Sequence, residues 1–141
     1  ETSDKNVYAC GDCTNHPNKS LGTRLRLESV HNAMEQSKTV ANSIMGNKNP
    51  YNQIPWFWSD QYDHKLQLVG ISGEHDEVIL RGSESEQNFL LFYLRNSKLI
   101  AVNAVNSPKE FLISRKLVAN KVKISSDVIK DQSINLNDLL L

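Results

Sequence analysis

Apolar residues recur at helical spacing between Val30 and Ile44, at Val30, Ala33, Met34, Val40, Ala41 and Ile44, which predicts one apolar helix face. Ser29 is placed to cap the start, and Gly46 to end the helix in a left-handed conformation. Ahead of it, the short run Val7-Tyr8-Ala9-Cys10 stops at Gly11-Asp12 and predicts a brief strand with Cys10 buried on it. Cys13 to Gly22 is rich in turn formers without any apolar period, so a surface loop is expected there. Gly46 to Pro55 carries Pro50 and Pro55 among asparagines and glutamine, the texture of a connection. A domain boundary is placed there, dividing the chain into 1–46 and 47–141.

From Trp56 to Val105 the pattern changes to short apolar stretches split by turns: Trp56-Phe57-Trp58, Leu66 to Val69, Val78 to Leu80, Phe89 to Leu94 and Leu99 to Val105. Aromatic and branched residues in runs of this length predict strands. Asn96-Ser97 suits a tight hairpin, with slightly longer turns at Gly73 to Asp76 and Ser83 to Gln87, so consecutive strands should pair antiparallel. Ser107-Pro108-Lys109-Glu110 reads as a capping box with proline at the first helical position, opening a helix with Phe111, Leu112, Leu117 and Val118. Ser126 and Asn135 are expected caps for short helices in the tail. The fold class expected is α+β: an antiparallel sheet of about five strands with flanking C-terminal helices, preceded by a strand-loop-helix segment.

Composition narrows the function. The 141 residues carry 16 Lys+Arg against 16 Asp+Glu, a formal net charge of +0. A balanced surface does not suit a phosphate backbone, so nucleic acid is not an expected partner. Runs such as Phe89 to Leu94 are far shorter than the roughly 18 residues a membrane span needs, so no membrane partner is expected either. Two cysteines do not make a disulfide scaffold, which points to a reducing cytoplasm. None of the six glycines forms a G-x-G-x-x-G fingerprint, so no complete dinucleotide motif is present.

Four features carry chemistry. A carboxylate at Asp12 after Gly11 accepts hydrogen bonds from ligand hydroxyls, although Gly-Asp after a strand is often only a loop start. The start of the helix at Ser29, Val30, His31 and Asn32 offers N–H groups and the positive end of the dipole to an anion, or is a capped surface helix with nothing bound. Both tryptophans lie in Pro55-Trp56-Phe57-Trp58-Ser59-Asp60-Gln61, where alternation puts Trp56 and Trp58 on one face and Phe57 on the other. They could fill a core, stack on a planar cofactor or anchor a partner. Cys10-x-x-Cys13 with His16 is compatible with a zinc or dithiol site, but a second ligand pair is missing. No metal site is expected, and His64 and His75 read as solvated.

Taken together, Thr2 to Asp12, Arg26 to Ala33, Pro55 to Tyr62, Arg81-Gly82, Phe92-Tyr93-Leu94 and Ala101 to Phe111 resemble the FAD-dependent, NAD(P)H-using ferredoxin and rubredoxin reductases, the putidaredoxin reductase-like group. The resemblance covers nearly the whole chain, in order. It implies that Gly11 and Asp12 meet the ribityl chain of FAD, that Ser29, Val30 and His31 face the pyrimidine edge of the flavin, and that Trp58, with Trp56, borders the flavin and the partner surface. It further implies a C-terminal piece of an oxidoreductase: 1–46 ends the FAD-binding domain, 47–141 is the C-terminal α+β domain, and NAD(P)H binds elsewhere. Alone, the piece should be inactive. The partners implied are a ferredoxin or rubredoxin and the rest of the reductase chain, with a homodimer compatible with the reading. No residue is assigned a catalytic acid or base role. The alternatives are a stand-alone interaction module without cofactor, and a small zinc or dithiol protein.

Overall fold

A computed structural model describes residues 1–19 and 21–140; Ser20 of the predicted loop and Leu141 at the end of the second predicted domain lie outside the described residues. The chain forms two compact units, Glu1 to Phe57 and Trp58 onward.

In the first unit the helix α1 spans Val30–Ile44. Ser29 caps it as expected: its Oγ accepts the Asn32 N–H at 3.2 Å, while Ala33 N–H reaches Ser29 O and opens the helical ladder. At the other end Gly46 is left-handed at φ +91. Asn47 N–H bonds Asn42 O at 2.8 Å and Gly46 N–H bonds Ser43 O at 3.1 Å, which is the Schellman pattern. Two expectations fail ahead of the helix. Val7 to Cys10 is not a strand, because no described strand lies beside it and a strand exists only as part of a ladder. The predicted loop instead holds a short strand, β1 His16–Asn18, which pairs antiparallel with β2 Thr23–Leu25 just beyond it. Three-residue strands are too short to show a period, and turn-forming residues surround them.

The larger sheet has five antiparallel strands, β3 Trp56–Gln61, β4 His64–Gly70, β5 Glu77–Ser83, β6 Asn88–Arg95 and β7 Lys98–Val105, in the order β3-β4-β7-β6-β5. Each predicted apolar run is one of these strands. The β6–β7 turn carries Asn96 and Ser97 at φ 51 and 61, the two left-handed residues of a type I′ hairpin. Consecutive pairing fails once: β4 pairs with β7, and β5 pairs with β6 at the far edge. The link Ile71 to Asp76 must pass three strand spacings, about 14 Å, which six extended residues reach easily. Gly70, at φ +77, closes β4 where a Cβ would sit 2.1 Å from Ile100 O. No side chain fits there.

One face of this sheet is covered by α2, Pro108–Ala119, which packs on β7 and β4, and by α3, Ser126–Lys130, on β5; a 3₁₀ turn at Leu136–Leu140 packs on α2. Ile79, Leu90, Phe92, Leu94, Leu99 and Val102 from the sheet meet Phe111, Leu117, Ile129 and Leu136 in a dry core. The predicted capping box does not form. Ser107 Oγ turns to Asn88 Oδ1 and Val105 O, and Glu110 is drawn to Arg81, since a buried guanidinium is a stronger, charge-assisted partner for a carboxylate than a neutral backbone N–H. Ser125 rather than Ser126 occupies the cap position of α3, and Ser126 Oγ donates to Glu77 Oε1. Asn135 caps the last turn, its Oδ1 accepting Asn137 N–H.

Candidate functional site

The chemistry anticipated at Gly11-Asp12 rests on α1. Gly11 is buried, at φ +82, and a Cβ built on it would touch Ala33 Cβ at 3.5 Å. The turn therefore lies against the first turn of α1, whose N-terminus is Val30. Its anchor is Gln36: Gly11 N–H donates to Gln36 Oε1 at 2.7 Å. Thr14 Oγ1 stands 2.8 Å from Gly11 O and 2.9 Å from the same Oε1, closing the turn. Asp12 next door is exposed, and among the described residues its carboxylate accepts no hydrogen bond.

A second chain of bonds fixes the helix tip. Asn32, 1% exposed, donates through Nδ2 to Leu27 O at 2.9 Å and accepts the Tyr51 hydroxyl on Oδ1 at 3.1 Å. Tyr51 stands edge-on to His16, with centroids 5.1 Å apart. Burial first, and Glu35 second, push the Tyr51 phenol up to about 12, so it donates at any ordinary pH. His16 returns to Gln36, whose Nε2 lies 2.9 Å from its Nδ1. Burial and then the Arg24 charge hold His16 below its usual range. Gln36 and Tyr51 are not singled out in the sequence; Asn32 stands out there only for its backbone N–H at the helix start, and His16 only as a candidate metal or dithiol neighbour of Cys13. A polar position inside the helical pattern could have flagged Gln36; no such pattern marks Tyr51.

The predicted site residues fall as follows. Gly11, Asp12, Ser29 and Val30 come together at the start of α1. His31 is one position on, its ring tilted against Trp56 at 5.3 Å and 48°. Val30 is exposed, and its backbone lies at the positive end of the dipole. Trp58 belongs to the second unit, where it is 41% exposed on β3; Phe57 is as open at 40%, while Trp56 is partly buried. Exposure along this strand thus does not follow the simple alternation expected. Cys10 is exposed rather than buried on a strand, since the strand is not formed, and both thiols are free. Among the described residues no three of His, Cys, Asp and Glu cluster as metal ligands, and no helix is long and apolar enough to cross a membrane.

The residues gathered at Gly11-Asp12 suit a hydroxylated ligand with an anionic edge. A glycine leaves the backbone approachable, an uncommitted carboxylate accepts from hydroxyls, and a helix start faces negative charge.

The helix-covered antiparallel sheet is an α+β domain, and the polar turn-and-helix site belongs to the other unit. The family described as Reductase C-terminal matches residues 56–140, and the chain belongs to it. It is 40% identical over 139 residues to the 5,5'-dehydrodivanillate O-demethylase ferredoxin reductase subunit of Sphingobium sp., covering 98% of this chain and 34% of the relative. Among solved structures, a ferredoxin reductase from Rhodopseudomonas palustris superposes with TM-score 0.92 at 37% identity, covering 99% of this chain and 34% of that one. The covalent putidaredoxin reductase–putidaredoxin complex matches with TM-score 0.90 at 37% identity, over 99% of this chain and 34% of that one. The chain spans about a third of the length of the relatives it matches.

Proposed function

We propose that this chain works as the C-terminal third of an FAD-dependent oxidoreductase that passes electrons from NAD(P)H to a ferredoxin or rubredoxin. In this reading 1–46 ends the flavin-binding domain, 47–141 forms the reductase C-terminal domain, and the nicotinamide site lies outside these residues. The observation that carries it is the Gly11-Asp12 turn clamped to α1 by Gln36, which presents an exposed carboxylate beside a helix start. FAD would supply the change from two-electron to one-electron transfer. Asp12 accepts hydrogen bonds from the ribityl hydroxyls. The tip of α1, at Ser29, Val30 and His31, faces the pyrimidine edge and favours negative charge there. Trp58, with Trp56, borders the flavin and the partner protein, and no side chain here acts as acid or base. Two exposed free thiols suit a reducing compartment such as the cytoplasm. Self-association into a homodimer is a further part of this reading.

The test supplies the chain with FAD, NADH and the remaining reductase domains, and follows reduction of a ferredoxin and a rubredoxin. NADH-dependent reduction of one or both is expected. Flavin bound equally well by the other domains without this chain would overturn the reading.

A further inference from the structure

The network behind Gly11-Asp12 has a built-in direction. The Gly11 N–H can only donate, so the atom of Gln36 that faces it must be the amide oxygen. The NH2 of Gln36 then points at His16 Nδ1, 2.9 Å away. That nitrogen must therefore be an unprotonated acceptor, with the proton of the ring on Nε2. A proton added at Nδ1 would set N–H against N–H. Flipping the amide to give His16 its oxygen would leave two donors facing each other at Gly11. One glutamine cannot satisfy both neighbours once His16 is charged.

We propose that Gln36 is the positioning residue of the Gly11-Asp12 turn and that protonation of His16 releases it. His16 and Asp12 are thereby coupled through Gln36 and Gly11, without a direct contact. His16 Nε2 is buried with no hydrogen-bond partner among the described residues, so a charged ring would find an acceptor at neither nitrogen. Arg24 on β2 disfavours a second positive charge at His16, and burial acts in the same direction and more strongly. Lys19, Lys48 and Glu1 line the same cleft as His16, and the last two are paired at 2.6 Å. On α1, Glu35 is paired with Lys38, and Tyr51 presents an uncharged ring edge. Among the described residues, the carboxylates of Glu1 and Glu35 are thus both engaged by lysines. A histidine held below 6.5 when folded favours the native network above that value. The support is then lost as pH falls through the folded-state value. Applied to the cofactor, the coupling rests on the flavin reading above and makes flavin retention weaken in mild acid.

The experiment is a ¹⁵N NMR titration of the 141-residue chain, which needs no flavin. At pH 7.5 His16 should show the Nε2–H tautomer, and the Gly11 amide should be protected from exchange. Below pH 6.5 the Gly11 shift should move with the His16 titration and its protection factor should fall about fivefold or more, as for one lost hydrogen bond. Gln36→Glu reverses the sign: a carboxylate accepts from Gly11 and from charged His16 together, so His16 should titrate above its ordinary value and Gly11 stay protected in acid. An Nδ1–H tautomer, or a Gly11 amide indifferent to His16 in the wild-type chain, overturns the proposal. The coupling seen by NMR together with pH-independent FAD retention in the reductase would uphold the relay and reject the flavin at Asp12.

Discussion

In the second unit the fully buried side chains are Phe92, Phe111, Leu90, Leu94, Ile129 and their apolar neighbours, with Arg81 and Ser114 among the few buried polar groups. In the first unit the buried side chains include Asn18, Asn32 and Gln36, while Val30, Met34, Ile44 and Met45 on and beside α1 are 59%, 55%, 68% and 77% exposed. The same physics gives both. Where two layers close on each other, area removed from water sets the arrangement and tolerates approximate partners. Where a helix buries amides, each buried donor and acceptor demands one particular partner, so geometry is set by direction rather than by area. Buried area organises the sheet unit, and directed hydrogen bonds organise the turn in the first.

The largest effect should come from Arg81. Its guanidinium, 4% exposed, donates to Ile129 O, Asp131 O and Ile134 O at 3.0, 2.7 and 2.9 Å and pairs with Glu110 at 3.1 Å. It ties the tail to β5. Arg81→Met should cost about 3–5 kcal/mol through carbonyls left without donors, read in urea unfolding, and should free residues 126–136 to exchange amide protons. Arg81→Lys should recover only part, because one ammonium cannot span three carbonyls. A change below about 1 kcal/mol would mean that area alone holds the tail.

Next comes Asn32→Ala, which strands Leu27 O and the Tyr51 hydroxyl. A loss of about 1–2 kcal/mol is expected, confined to the first unit in peptide-level hydrogen exchange. Equal loosening of the sheet would erase the contrast between the two units. Smallest are Met34→Ser and Ile44→Ser on the open face of α1. In the 141-residue chain each should shift stability by no more than about 0.5 kcal/mol, checked by thermal melting. A large drop would show that the face is covered.

These differences also explain what could be read from the sequence. Strand runs such as Phe89 to Leu94, the Asn96-Ser97 turn and the Ser29 and Gly46 ends of α1 are set locally, by side chain and backbone preference, and were legible. The crossing from β4 to β5 was not, because nothing in Ile71 to Asp76 states which edge the chain will reach. The Ser107 box looked complete until Arg81, far away in sequence, took Glu110. At the site, Gly11, Asp12 and the start of α1 carried their chemistry openly. Gln36 did not, since a polar residue on a helix is usually a solvated one, and its partner His16 stands on a hairpin too short to be read from the sequence.

The most direct measurement of the central claim is the FAD dissociation constant of the reductase carrying Asp12→Ala. Loss of a hydrogen bond to a charged acceptor, about 1.5–3 kcal/mol, predicts flavin held roughly 10- to 150-fold more weakly, with the sheet unit unfolding as before. Flavin retained at the wild-type level would contradict the assignment of Asp12 to the ribityl chain.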